Sequence, residues 1–174
     1  ERLALSSAGI GIIKGDAEML GRALQPLPLK ELCLRGNPLT RHNELASLCL
    51  TLPVSITRLD LSFQPLTTTM DLPAAFEGLA RLHRLEWLDL SHMGLGANQH
   101  DADTLGLLVG RLQSLEYLSL RGNRIGAHRG DADRLASFLP ASLTDLDLCD
   151  NRISSREVAL LSRPQRTRRF RQQI

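Results

Sequence analysis

One aliphatic grid, written five times along the chain, limits its fold more than any other feature. The grid has the form L-x-x-L-x-L-x-x-N-x-L, with isoleucine sometimes replacing the first or last leucine. It runs through Leu29, Leu32, Leu34, Asn37 and Leu39, then Ile56, Leu59, Leu61, Gln64 and Leu66. The third copy is Leu85, Leu88, Leu90, Met93 and Leu95, and the fourth is Leu115, Leu118, Leu120, Asn123 and Ile125. Leu143, Leu146, Leu148, Asn151 and Ile153 complete the fifth, and a partial copy opens the chain at Leu3, Leu5, Ala8 and Ile10. The second leucine recurs at 3, 32, 59, 88, 118 and 146, giving intervals of 29, 27, 29, 30 and 28 residues. A steady period of this size belongs to a solenoid, in which each repeat buries its apolar face against its neighbours. Function in such an array lies on its surfaces.

Around the second and third leucines, apolar and polar residues alternate, as in Leu88-Asp89-Leu90 and Leu146-Asp147-Leu148. Alternation with period two marks a strand with one buried face. Between grids the spacing becomes helical, as in Leu45, Leu48, Cys49 and Leu52, or Leu105, Leu108, Val109 and Leu112. One strand and one helix per period, with a crossover between strands, gives parallel neighbours and a right-handed coil. A helix is wider than a strand, so the array must bend, with strands inside the curve and helices outside.

The asparagine column should satisfy backbone groups at the bend inside the stack, where water cannot help. Ala8 and Met93 cannot make those bonds, so a weaker ladder is expected there, with backbone adjustment or bridging water. A second internal repeat aligns Asp16, Asp101 and Asp131, each six residues after the last aliphatic of its grid. An acid at that place reads as a helix start, accepting bonds from free amides and matching the helix dipole. The metal alternative would use His100, Asp101 and Asp103, or His128, Asp131 and Asp133. It is disfavoured because Asp16 recurs with no histidine beside it. Arg129-Gly130-Asp131 spells an integrin-ligand tripeptide, but Asp131 is better explained by its place at a helix start.

The grid resembles that of the leucine-rich repeat family, specifically the ribonuclease-inhibitor-like subtype with a strand and a helix in each period. The resemblance covers Leu3 to about Leu161, with Ala8, Gln64 and Met93 departing from the asparagine column. It implies an α/β fold, a right-handed horseshoe with a concave parallel sheet and convex helices. The implied role is non-enzymatic protein recognition. The alternative it leaves is a regulator or recognition arm of an enzyme system, such as small-GTPase activation or a ubiquitin ligase, including a bacterial effector acting in a host cell. The ordered domain is expected over residues 1–163, as a fragment of a longer chain because it opens inside a repeat, followed by an Arg-rich tail over 164–174.

Composition narrows the setting. Aromatic residues are 3% of the chain, so the core must be aliphatic. Three widely spread cysteines, Cys33, Cys49 and Cys149, do not form the even clusters of a secreted disulfide framework. A reducing, intracellular location follows, cytoplasmic or nuclear, or the host cytosol for an effector. Without the five arginines between 163 and 171, the charge is 16 basic residues against 19 acidic ones. No nucleophile, histidine and acid share a repeat in the manner of a triad, and no Gly-rich phosphate loop occurs. No catalytic residue, cofactor, metal or small-molecule substrate is therefore expected.

With the leucines pointing inward, positions three, five and seven of each grid project from the concave face. The third column reads Arg2, Glu31, Arg58, Trp87, Tyr117 and Asp145, and holds the only Trp and Tyr of the chain on adjacent strands. Adjacent strands lie about 4.8 Å apart, which brings those rings together. The expected partner-binding set is Arg58, Asp60, Phe63, Trp87, Asp89, His92, Tyr117, Arg121, Asp145 and Asp147. An acidic, aromatic surface of this kind suits a protein or peptide carrying a basic segment. In the tail, Pro164 should stop the last helix near Arg163. Arg166, Arg168, Arg169 and Arg171 offer nucleic-acid or acidic-membrane binding as lesser alternatives to a disordered or capping tail.

Overall fold

The computed structural model describes residues 1–39, 43–64, 72–161 and 169–171. Its strands are β1 (Arg2–Ala4), β2 (Glu31–Cys33), β3 (Arg58–Asp60), β4 (Trp87–Asp89), β5 (Tyr117–Ser119), β6 (Asp145–Asp147) and β7 (Arg169–Arg171). Alternating with them are α1 (Asp16–Leu24), α2 (Glu44–Thr51), α3 (Leu72–Leu79), α4 (Asp101–Arg111), α5 (Asp131–Phe138) and α6 (Ser155–Leu161). The strands form one sheet in chain order, every pair parallel. This is the α/β solenoid expected from the grid, and the register is set by it. Leu3, Leu32, Leu59, Leu88, Leu118 and Leu146 are successive cross-strand partners.

The leucine grid runs out before the sheet does. Arg169, Phe170 and Arg171 pair with Asp145, Leu146 and Asp147, adding a strand that no leucine announces. Leu66, Arg163, Arg166 and Arg168 lie outside the described residues.

Inside, the strands and helices meet over a continuous aliphatic core. Leu32, Leu59, Leu88, Leu118 and Leu146 are each no more than 2% exposed, whereas Leu3, Leu5 and Ile10 of the opening repeat are only partly buried. Small residues let the helices approach closely. A Cβ on Gly78 would meet backbone atoms of Cys49 and Leu50 at 2.6–2.7 Å, and one on Gly106 would meet the Phe138 ring at 2.5 Å. The contact between α3 and α4 is the sparsest between consecutive helices.

The asparagine column works as a staple between repeats. Asn123 Oδ1 accepts from the amides of Met93, Gly94 and Leu95 at 2.9–3.1 Å, while its Nδ2 donates to Leu90 and Leu120 carbonyls. Thus the turn at Met93 is held by the asparagine of the following repeat, and Met93 itself is a fully buried apolar filler. Asn37 and Asn151 make the equivalent links, to Ile10 and Leu5 and to Ile125 and Leu120. Gln64 is the weak member. Its Nε2 donates to Leu34, but its buried Oε1 has no hydrogen-bond partner among the described residues.

The recurring aspartates begin helices as expected, yet their carboxylates reach backward rather than into the helix. Asp16 accepts from the Ile13 amide, Asp101 from Gly96 and Asn98, and Asp131 from His128, while Arg134 bridges Asp131 and Asp103. The free amides they satisfy belong to the incoming loops. Asp131 is 1% exposed, which removes the tripeptide reading of Arg129-Gly130-Asp131.

Candidate recognition surface

Because the strand period is two, residues flanking each buried leucine on the sheet point into the curve. Trp87 and Tyr117 are direct cross-strand partners, and their rings stack with centroids 5.2 Å apart and planes 5° from parallel. The Arg58 guanidinium lies over the other side of Trp87, 5.1 Å from its centroid. Arg58 also reaches Glu31 at 3.9 Å, and Arg2 reaches the same carboxylate at 3.6 Å. The third column is therefore one connected row from Arg2 through Glu31, Arg58 and Trp87 to Tyr117. Its N-terminal part borders a shallow depression of about 360 Å³, lined by Arg2, Glu31, Cys33, Arg58, Asp60 and Trp87.

A second row of packed side chains runs along the turns at the far ends of the strands. Phe63 and His92 pack with centroids 4.3 Å apart and planes tilted by 30°, and the Arg35 guanidinium sits 4.1 Å from the Phe63 centroid. Position eight of every grid adopts a left-handed backbone: Ser7, Gly36, Phe63, His92, Gly122 and Asp150 have φ between 52° and 67°. Glycine accepts this without penalty, while a Cβ-bearing residue is strained by about 1–2 kcal/mol. Gly122 also makes room for the row, since a Cβ there would meet the His92 ring at 2.3 Å. Arg121, next to it, pairs with Asp150 at 2.8 Å.

Between the two rows lie the carboxylates of the fifth column. Asp60 accepts from the Ser62 amide at 2.9 Å and its hydroxyl at 2.6 Å, and from the Cys33 thiol at 3.3 Å. Asp89 accepts from the Ser91 amide at 2.8 Å, and Asp147 from the Cys149 amide at 2.9 Å. Each of these aspartates closes its own turn, a local role that the alternating pattern hid. Half-burial raises the Asp89 carboxyl above the usual range, the Ser91 bonds oppose this, and Asp60 adds to it. Burial pushes the Cys49 thiol far up, so it is an inert core group.

The expected residues divide into three sets. Arg58, Asp60, Trp87, Asp89 and Tyr117 share the middle of the concave face. Phe63, His92 and Arg121 form its edge. Asp145 extends the Trp87 column, but Asp147 is 8% exposed, beside β7, with one carboxylate oxygen bonded to its own turn. Sequence reasoning passed over Arg35 and Glu31, whose columns held the signal, and Glu44. Glu44 is buried and accepts from Gly15 and Ala17 amides at 2.6 and 3.0 Å, holding the start of α1 from the next repeat. Among the described residues, no group of three His, Cys, Asp or Glu is placed to hold a metal ion. No described helix is long and apolar enough to cross a membrane.

No family model matches this chain, and no curated protein does. Among solved structures, a leucine-rich repeat protein of Leptospira interrogans is 22% identical with a TM-score of 0.53, over 91% of this chain and 39% of that one. A leucine-rich repeat-containing protein of Legionella pneumophila is 19% identical with a TM-score of 0.57, over 92% of this chain and 52% of that one. The chain thus spans about half the length or less of these two structures. Grid, register and likeness agree: the fold is that of a leucine-rich repeat solenoid.

Proposed function

We propose that this chain is a non-enzymatic recognition module that takes a partner polypeptide on its concave sheet, centred on Trp87 and Tyr117. The carrying observation is the stacked pair on an otherwise polar sheet, flanked by Arg58 and the depression beside it. Large aromatics on a rigid scaffold lose little entropy on contact and are frequent interface anchors. A basic segment fits best. Arg2 and Arg58 are engaged with Glu31 and Arg121 with Asp150, while Arg35 rests on Phe63 and only partly offsets Asp89 from a distance. Asp60 and Asp89 have no ion pair among the described residues. A lysine or arginine arriving there would pair with those carboxylates while its aliphatic stem packs against the edge of Trp87.

The test compares the intact protein with Trp87→Ala, Tyr117→Ala and the double variant, against a lysine- or arginine-bearing segment selected on the wild type. Each single change should weaken binding by roughly 30-fold, the equivalent of about 2 kcal/mol per buried anchor. Affinity should also rise with pH as Asp89 ionises, because a basic segment favours the charged carboxylate. A correctly folded double variant that binds the same segment unchanged contradicts the concave site.

A further inference from the structure

A second surface lies at the opposite ends of the strands, where the chain leaves each helix and turns into the sheet. Two residues before the first leucine of each grid stand Leu27, Val54, His83, Gln113 and Ala141. Leu27 and Val54, the two large aliphatics of that column, are 46% and 45% exposed. They line a depression of about 500 Å³ together with Pro26, Pro28, Pro53 and Arg81. Proline fixes φ, so the walls are set before anything binds and little ordering is lost on contact. The position of Arg81 is fixed as well: one guanidinium N–H donates to the Leu50 carbonyl, and others remain for a ligand.

The charge of this rim differs from that of the concave face. Lys30 and Arg84 are exposed on the same turns, with Arg84 opposite Ser55 in the register that pairs Arg58 with Trp87. Among the described residues, Lys30, Arg81 and Arg84 have no carboxylate within ion-pair distance, whereas Arg2, Arg58 and Arg121 all do. Solvent-exposed aliphatics beside uncompensated cations leave both burial energy and charge pairing unused.

We propose that this groove docks a partner polypeptide segment that sets one or two aliphatic side chains against Leu27 and Val54 and places an Asp or Glu beside Lys30, Arg81 or Arg84. An anionic bilayer fits less well, because Leu27 and Val54 are each about half buried and leave little apolar surface to insert. The surface is independent of Trp87 and Tyr117.

Panning a random twelve-residue phage-displayed peptide library on the intact chain tests this, with Leu27→Asp/Val54→Asp and Lys30→Glu/Arg84→Glu as counter-targets. Unfolding curves establish that both variants are folded. Enriched peptides should combine Leu, Ile, Val or Met with Asp or Glu, and lose roughly tenfold in affinity on either variant while binding Trp87→Ala normally. Three results would overturn the inference. They are no enrichment over the variants, enrichment of peptides without acidic residues, or retention on phosphatidylcholine–phosphatidylserine vesicles that the same substitutions abolish.

Discussion

Leu88 and Trp87 are neighbours on β4, yet the molecule treats them differently. The column of Leu88 repeats one residue type through Leu3, Leu32, Leu59, Leu118 and Leu146, and from Leu32 onward it is sealed from solvent. The column of Trp87 repeats nothing: arginine, glutamate, arginine, tryptophan, tyrosine and aspartate follow one another on an open face. Inward positions meet the same environment in every turn of the solenoid, so packing density selects the same side chain each time. Outward positions meet only solvent and each other, so the fold does not dictate them. The columns that vary are the ones the fold leaves free to carry specific chemistry.

Paired substitutions should separate the two columns. Leu88→Ala empties a fully buried site and should destabilise the protein by about 2–5 kcal/mol in chemical denaturation. Trp87→Ala should lower stability much less, by about 0.5–1.5 kcal/mol of ring stacking, because the ring packs on the surface of the sheet. A Trp87→Ala variant as unstable as Leu88→Ala would mean that the ring belongs to the frame. Asn123→Ala should cost about 3–4 kcal/mol, since it strips partners from several buried backbone groups at about 1–3 kcal/mol each.

Gln64→Asn sharpens the same contrast in the other direction. The shorter amide should reach the staple geometry of Asn123 and remove the unpartnered Oε1, raising stability by about 1 kcal/mol. Smallest of all is Asp89→Asn. The fold raises the Asp89 carboxyl, so it favours the neutral form, and the ionised group opposes folding at neutral pH. The substitution should therefore raise stability slightly at pH 7, and the gain should fade as pH drops to about 4, where the unfolded carboxyl also protonates. A gain that grows on acidification would reverse that sign.

Much of the fold was legible because leucine spacing reports directly on strand register. The pairing of Trp87 with Tyr117 followed from that register alone. What escaped depended on backbone conformation or on contacts between repeats. Nothing in Phe63 or His92 as residue types announces a left-handed turn, since their φ values come from the position they occupy. Glu44 opens α2, and its capping of α1 appears only when neighbouring repeats are stacked. Strand β7 carries no leucine grid, and Phe170 follows Leu146 by 24 residues, outside the 27–30 spacing of the others. The aspartates Asp60 and Asp89 read as surface charge, but each spends one oxygen on its own turn.

Trp87 is the only tryptophan, so its fluorescence reports on the centre of the concave face with no competing signal. Acrylamide quenching of that emission, measured with and without a bound partner segment, tests the account most directly. Burial of the Trp87–Tyr117 row predicts weaker quenching and a blue-shifted emission in the complex. Saturating binding with quenching and emission unchanged would show that the partner sits elsewhere.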